Sequence, residues 1–210
     1  NPEDFYADDE MVITISHLGY IKRTPLSEFR TQNRGGVGSK GSDTREADFV
    51  EYIYMATMHN TMIFFTQKGR CYWLKVYEIP EGTKNSKGRA IQNMLNIDAD
   101  DKVNAFVHVK NLADKDFVNS HYLMFCTKNG VVKKTCLEAY SRPRTNGVNA
   151  ITIREDDRVI EVVMTNGDNE IVLANKNGRA IRFHEGVVRE MGRTATGVRG
   201  MTLDEDGQDE

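Results

Sequence analysis

The chain has 210 residues, 39% of them hydrophobic and 28% charged, an ordinary balance for a globular domain. No apolar run approaches the ~18 residues of a membrane helix. The three cysteines, Cys71, Cys126 and Cys136, sit singly in apolar stretches, which argues against a zinc site or a disulfide framework and for reduced core thiols. The net charge of −3 is unevenly spread. Residues 1–10 and 204–210 together hold ten of the 31 acids and none of the 28 bases, so the body carries 28 bases against 21 acids, a balance of +7. For a nucleic-acid partner, the clustering of positive charge matters more than the total.

The chain opens at Asn1-Pro2, with neither an initiator Met nor a signal-peptide pattern, and is expected to be a piece of a longer protein. Residues 1–10 read as an acidic linker and 11–210 as one domain. Within it a pattern recurs four times: an apolar run, a turn with Gly, and a second strand often carrying bases. The copies are Val12–Arg23 around Gly19, Met62–Trp73 around Gly69, Leu123–Lys134 around Gly130 and Ile171–Arg182 around Gly178. Lys68-Gly69, Asn129-Gly130 and Asn177-Gly178 are strong hairpin turns, because these residues accept the positive φ of a tight turn. A second glycine follows at 19, 19, 17 and 19 residues, as Gly38, Gly88, Gly147 and Gly197. The last three open short strands, expected at Ala90–Leu95, Val148–Ile153 and Val198–Leu203. A further apolar strand precedes each later hairpin, at Val50–Thr57, Val103–Val109 and Val159–Thr165.

About four strands per ~50-residue unit predict an all-β, propeller-like fold, with about four four-stranded blades present in an incomplete ring. Blades are expected to be missing at the C-terminal end, where Asp204–Glu210 stands in place of a further strand. No segment has a long 3.6-residue apolar period, so helices should be short or absent. A pair of β-sandwiches is the competing architecture, which the double glycine register disfavours.

The most specific stretch is Gln32-Asn33-Arg34-Gly35-Gly36-Val37-Gly38-Ser39-Lys40-Gly41. Its glycines let a backbone approach phosphate closely and leave amides free to bond it, with Arg34 and Lys40 adding charge. Gly36–Gly41 also satisfies G-x-G-x-x-G, but the polar sequence after it and the lack of βαβ units argue against a dinucleotide site. Bases recur ahead of the second glycine or just beyond it in every unit. They are Arg30, Arg34 and Lys40; then Lys84, Lys87 and Arg89; then Arg142 and Arg144, with Lys133 and Lys134 just before; then Arg189 and Arg193, with Arg199 just beyond. Recurrence turns what would singly be a solvated loop into a candidate basic band, binding phosphate by counterion release with little sequence preference.

The 32–41 stretch resembles the gyrase box of the bacterial DNA gyrase A family, whose pattern is Gln-Arg-Arg-Gly-Gly-basic-Gly. Ser16–Tyr20, Leu26–Phe29, Gly130–Thr135 and Met191–Gly200 also resemble that family's C-terminal domain, and the likeness runs from about residue 11 onward. Gln32, Arg34, Gly35, Gly36 and Gly38 match the box, whereas Asn33 stands for an Arg and Val37 for a Lys or Arg. These departures keep the topoisomerase IV A subunit, whose box is typically degenerate, as an alternative. The resemblance implies a β-pinwheel that wraps duplex DNA so that ATP-dependent strand passage introduces negative supercoils. It also implies a B-subunit partner in an A2B2 enzyme, a cytoplasmic location at the chromosome, and no membrane or small-molecule ligand. By the same resemblance, the cleavage Tyr lies in another domain and ATP and Mg act elsewhere in the enzyme, leaving no catalytic site, cofactor or metal here. The five histidines have no metal-ligand spacing, and Asp204–Asp209 only faintly matches a calcium loop. A propeller that binds protein partners is the alternative of a different class.

Overall fold

The computed structural model describes residues 1–35, 47–83, 85–174, 178 and 180–200, with the backbone alone for 32–35. In chain order its strands are β1 (Glu10–Ser16), β2 (Tyr20–Pro25), β3 (Val50–Thr57), β4 (Thr61–Thr66), β5 (Arg70–Lys75), β6 (Arg89–Ala90) and β7 (Val103–Val109). They continue with β8 (Tyr122–Thr127), β9 (Val131–Cys136), β10 (Val148–Asn149), β11 (Val159–Thr165), β12 (Glu170–Ala174), β13 (Ala180–His184) and β14 (Val198–Arg199). Among the described residues three α-helices intervene: α1 (Leu26–Gly35), α2 (Ile91–Met94) and α3 (Lys115–Ser120).

Each sheet is seeded by a hairpin at one of the first-register glycines. β1 and β2 pair from Met11↔Pro25 to Ile15↔Ile21 across a turn at Gly19, where φ is 89°. The sheets run β3-β1-β2-β6, β10-β5-β4-β7 and β11-β8-β9-β14, with β12 and β13 as a two-stranded hairpin. The outer strands β3, β7 and β11 fall where the apolar runs predict them. The strands after the second glycine do not keep their expected length: β6 and β10 have two residues each. Past β6 the chain coils into α2, because Ile91 is buried and Met94 follows at helical spacing. The expected strand from Val198 runs beyond residue 200, outside the described residues.

The topology also laces the repeats together. β6 follows the β4–β5 hairpin in sequence, yet pairs with β2 through Tyr20↔Ala90 and Ile21↔Arg89. β10 likewise returns to β5 through Cys71↔Val148, and β14 to β9 through Val132↔Val198. Three hairpins thus gain their fourth strand from the repeat that follows.

By backbone proximity the chain divides into two compact units: 1–63 with 73–97 and 108–111, and 64–72 with 98–107 and 112–210. The first has a core of Val12, Ile13, Ile15, Ile21, Met62, Ile63, Val76 and Ile79, all essentially inaccessible. The acidic N-terminal stretch is part of this unit. Glu3 pairs with Lys75 Nζ at 2.8 Å, the Tyr6 and Tyr77 rings stack at 4.9 Å, and the His59 N–H donates to Asp8 at 2.9 Å. The second unit is centred on Phe65, Phe125 and Tyr140, with the Phe65 and Phe125 rings edge to face at 5.3 Å. Each such buried side chain contributes about 1.5–3 kcal/mol. All three cysteines are free thiols, and burial pushes Cys71 up to about 12.

An aspartate ahead of each outer strand closes the neighbouring hairpin. The N–H groups of Leu18, Lys68 and Asn129 donate to Asp48, Asp101 and Asp157 at 2.9, 3.1 and 3.0 Å. The sequence signature is D-x-V, as Asp48-Phe49-Val50, Asp101-Lys102-Val103 and Asp157-Arg158-Val159. Burial alone would raise the Asp48 carboxyl, but bonds from Ser16, Leu18 and Phe49 hold it below its ordinary value. Its contribution is therefore complete above about pH 4 and is lost as the pH falls through the lowered folded value. Asp101→Ala is expected to cost about 1.5–3 kcal/mol, the worth of a hydrogen bond to a charged acceptor. The shift of its urea midpoint against wild type checks this, and no shift would mean that water replaces the carboxylate.

Candidate nucleic-acid interface

The loops leading to β6, β10 and β14 reach their own sheets at matching registers, each through a positive-φ glycine: Gly88, Gly147 and Gly197. Two-residue strands cannot hold a loop by pairing alone, so the close approach at the glycine fixes where it arrives. In the first loop Lys87 and Arg89 are exposed, with Lys87 Nζ 5.8 Å from the centre of the Tyr20 ring. In the second, Arg142 and Arg144 are exposed on either side of Pro143, and Arg142 pairs with Glu138 four residues back. In the third, Arg189 and Arg199 are exposed, while Arg193 is half-buried and donates to the Asn149 carbonyl. Each of the three four-stranded sheets thus carries basic side chains at an equivalent corner, where solvent-facing guanidinium and ammonium groups can bond phosphate oxygens.

Gln32, Asn33, Arg34 and Gly35 form the end of α1. The backbone of the box is therefore helical as far as Gly35, the first of the glycines whose amides are expected to meet phosphate. Gly36, Val37, Gly38, Lys40 and Lys84 lie outside the described residues, as does the G-x-G-x-x-G stretch.

Lys133 and Lys134 are corrected outright, because both are buried. Strand β9 is covered at Val131–Thr135, so its two lysines point into protein on both faces. Lys133 Nζ donates to the Ala150 carbonyl at 2.6 Å, to the Tyr140 hydroxyl at 3.3 Å and to the Arg193 carbonyl, and it lies 4.9 Å from the centre of the Phe125 ring. Burial, with the nearby Arg193 charge, pushes its pKa down to about 7. Lys134 Nζ is 3.2 Å from the Glu185 carboxylate and 4.5 Å from the centre of the Tyr122 ring.

The first sheet repeats the arrangement. Lys22 Nζ donates to the carbonyls of Thr83 and Ser86 at 2.7 and 2.9 Å, and Arg23 donates to those of Tyr77 and Ile79. The sequence holds a signal for this. The two pairs stand at the same distance from the hairpin glycine and before the same residue, as Gly19-Tyr-Ile-Lys22-Arg23-Thr24 and Gly130-Val-Val-Lys133-Lys134-Thr135.

Among the described residues no group of three or more His, Cys, Asp or Glu could hold a metal ion, and no helix is long and apolar enough to cross a membrane.

A family model described as "DNA gyrase C-terminal domain, beta-propeller" matches residues 10–56, 60–110, 121–166 and 169–210, one match per hairpin repeat. The DNA gyrase A protein of Halalkalibacterium halodurans is 44% identical over 206 residues, covering 95% of this chain and 24% of that protein. The DNA gyrase A protein of Haemophilus influenzae is 41% identical over 201 residues, covering 96% and 22%. That of Staphylococcus aureus is 44% identical over 203 residues, covering 97% and 22%. The chain spans less than a quarter of the length of these relatives. Among solved structures, the C-terminal domain of a DNA topoisomerase IV superposes with a TM-score of 0.74 at 28% identity, covering 92% of this chain and 57% of that one. A DNA gyrase A C-terminal domain superposes at 0.65 and 21% identity, covering 91% and 60%, a likeness of fold.

Proposed function

The chain belongs to the DNA gyrase C-terminal domain family of beta-propellers, and from that premise we propose that it binds duplex DNA through its phosphates, bends it and wraps it with a fixed hand. In this reading the wrap presents one DNA segment to another, so that ATP-dependent strand passage by a gyrase holoenzyme introduces negative supercoils. The B subunit is the partner in that A2B2 enzyme, which acts in the cytoplasm at the chromosome. Strand cleavage, ATP and magnesium belong to its other parts.

The observation that carries the reading is the repeated delivery of exposed bases to one corner of each four-stranded sheet: Lys87 and Arg89, Arg142 and Arg144, and Arg189 and Arg199. Bending a site by 40–90° costs on the order of 1–6 kcal/mol, so distributed phosphate contacts must offset it. Recurring loops supply contacts of that kind, with register fixed by the sheets and no demand on base sequence. The charge of the box, through Arg34 and Lys40, adds a clamp on one stretch of the wrap.

The test is the linking-number change left in a nicked plasmid sealed with the chain bound, at low and moderate salt. A salt-sensitive shift of one sign is expected. Binding without a shift would favour the topoisomerase IV reading that Asn33 and Val37 keep open, and absence of binding would leave a protein-binding propeller. Neutralising Lys87 and Arg89 together should lower the slope of log affinity against log salt by about 1.8, two contacts at about 0.9 each. An unchanged slope would place the DNA track elsewhere.

A further inference from the structure

We propose that Lys22 and Lys133 are positioning residues, whose ammonium groups fix the backbone of the DNA-contacting loops while touching no DNA themselves. The inference rests on the DNA-binding reading and adds to it what aims the loops.

Both lysines bond neutral oxygens of the loop that leads to the exchanged strand of their own sheet. Lys22 holds the carbonyls of Thr83 and Ser86, which bracket residue 84 and precede Lys87. Lys133 holds the Arg193 carbonyl and, just past β10, that of Ala150. The Arg193 guanidinium in turn donates to the Asn149 carbonyl, so this loop is tied at both backbone and side chain. The buried Lys133 ammonium, facing carbonyls and a hydroxyl, is a costly choice for filling space, since an apolar side chain of similar length would pack there without desolvating a charge. What the charge adds is a set of strong, directional bonds to loop carbonyls. The second repeat offers an internal contrast. Tyr72 stands at the lysine position, and Arg70 donates to the Asn146 carbonyl of the loop at 2.8 Å. A loop fixed before DNA arrives avoids the cost of ordering on binding.

The test compares Lys22→Met with Lys87→Ala/Arg89→Ala, singly and combined, by salt-dependent affinity of the whole chain for a linear duplex. Lys22→Met is expected to weaken binding about five- to twenty-fold and to flatten the salt slope as much as the double neutralisation does. A lysine that itself contacted phosphate would remove only about 0.9 from the slope. The combined variant should bind no more weakly than Lys87→Ala/Arg89→Ala, because the staple acts through those side chains. Additive losses, a slope change of a single contact, or unchanged affinity would each overturn the proposal. Lys133→Met combined with Arg193→Ala repeats the test in the second unit. If that variant fails to fold, the half-exposed Lys22 decides alone. A wild-type chain without salt-sensitive affinity would overturn the DNA reading first, before any variant is compared.

Discussion

Replacing Glu185 by alanine should destabilise the second unit by about 3–5 kcal/mol, the cost of stranding one member of a buried ion pair. Glu185 is fully inaccessible and its carboxylate is fully used. Oε1 accepts from Thr165 Oγ1 at 2.9 Å and lies 3.2 Å from Lys134 Nζ, while Oε2 accepts from the Asn169 N–H at 2.8 Å. The position is one that other repeats fill with apolar side chains. The N–H groups of Val76, Leu137 and Glu185 make the same backbone bond, to Asn60, His121 and Asn169, each at 2.9 Å. The acid is therefore there for Lys134, and removing it leaves a buried ammonium against the Tyr122 ring. Lys134→Met with Glu185→Val should recover most of the loss, since well-packed apolar side chains often replace such a pair without penalty. Urea midpoints of the single and paired variants decide it, and a paired variant as unstable as Glu185→Ala would show that the pair is more than a local match of charges. Acid should reproduce the effect. Burial alone would raise the Glu185 carboxyl, but bonds from Asn169, Thr165 and Lys134 hold it below its ordinary 4.5. Its contribution is complete above that value and is lost as the pH falls through the lower folded one, so wild type and Glu185→Ala should converge in stability at acid pH.

What the sequence discloses depends on whether a feature is local. β3, β7 and β11 are legible because an outer strand is a run of apolar and β-branched residues bounded by polar ones, and the hairpins because their glycines need positive φ. The lacing is not legible. A two-residue strand such as β6 or β10 has no pattern that names its partner, and the choice between the hairpin behind and the hairpin ahead is made by packing. The basic loops are half legible. Lys87, Arg89, Arg142, Arg144 and Arg199 face solvent. Lys133 and Lys134 group with them by sequence because charge ordinarily means exposure, yet the flanking Val131-Val132 already marks a strand buried on both faces. The D-x-V signature escapes a reading of the sequence because a single aspartate before a strand looks like any polar loop residue until its bond to the hairpin is seen.

The two glycine registers do different work, and substitution should separate them. Gly19 and Gly88 both have positive φ, 89° and 79°, so alanine at either carries a left-handed strain of about 1–2 kcal/mol. At Gly19 a Cβ would meet nothing within 4 Å, and the strain is the whole expected cost. At Gly88 it would lie 2.1 Å from the Ile21 carbonyl oxygen and 2.7 Å from the Ile21 carbonyl carbon. No rotamer relieves a clash with backbone, so Arg89 and Ala90 must lift away from β2. The Tyr20↔Ala90 and Ile21↔Arg89 pairing then breaks, bringing the cost of Gly88→Ala to about 3–4 kcal/mol when each lost bond is taken at about 1 kcal/mol. The same displacement moves Lys87 and Arg89, so Gly88→Ala should flatten the salt dependence of DNA affinity as their neutralisation does, whereas Gly19→Ala should leave it intact. If both variants lost equal stability and kept the wild-type slope, the exchanged strand would not be what presents the basic loop. If only Gly88→Ala lost both, the glycine register that laces one repeat to the next would also be the register that aims its charge.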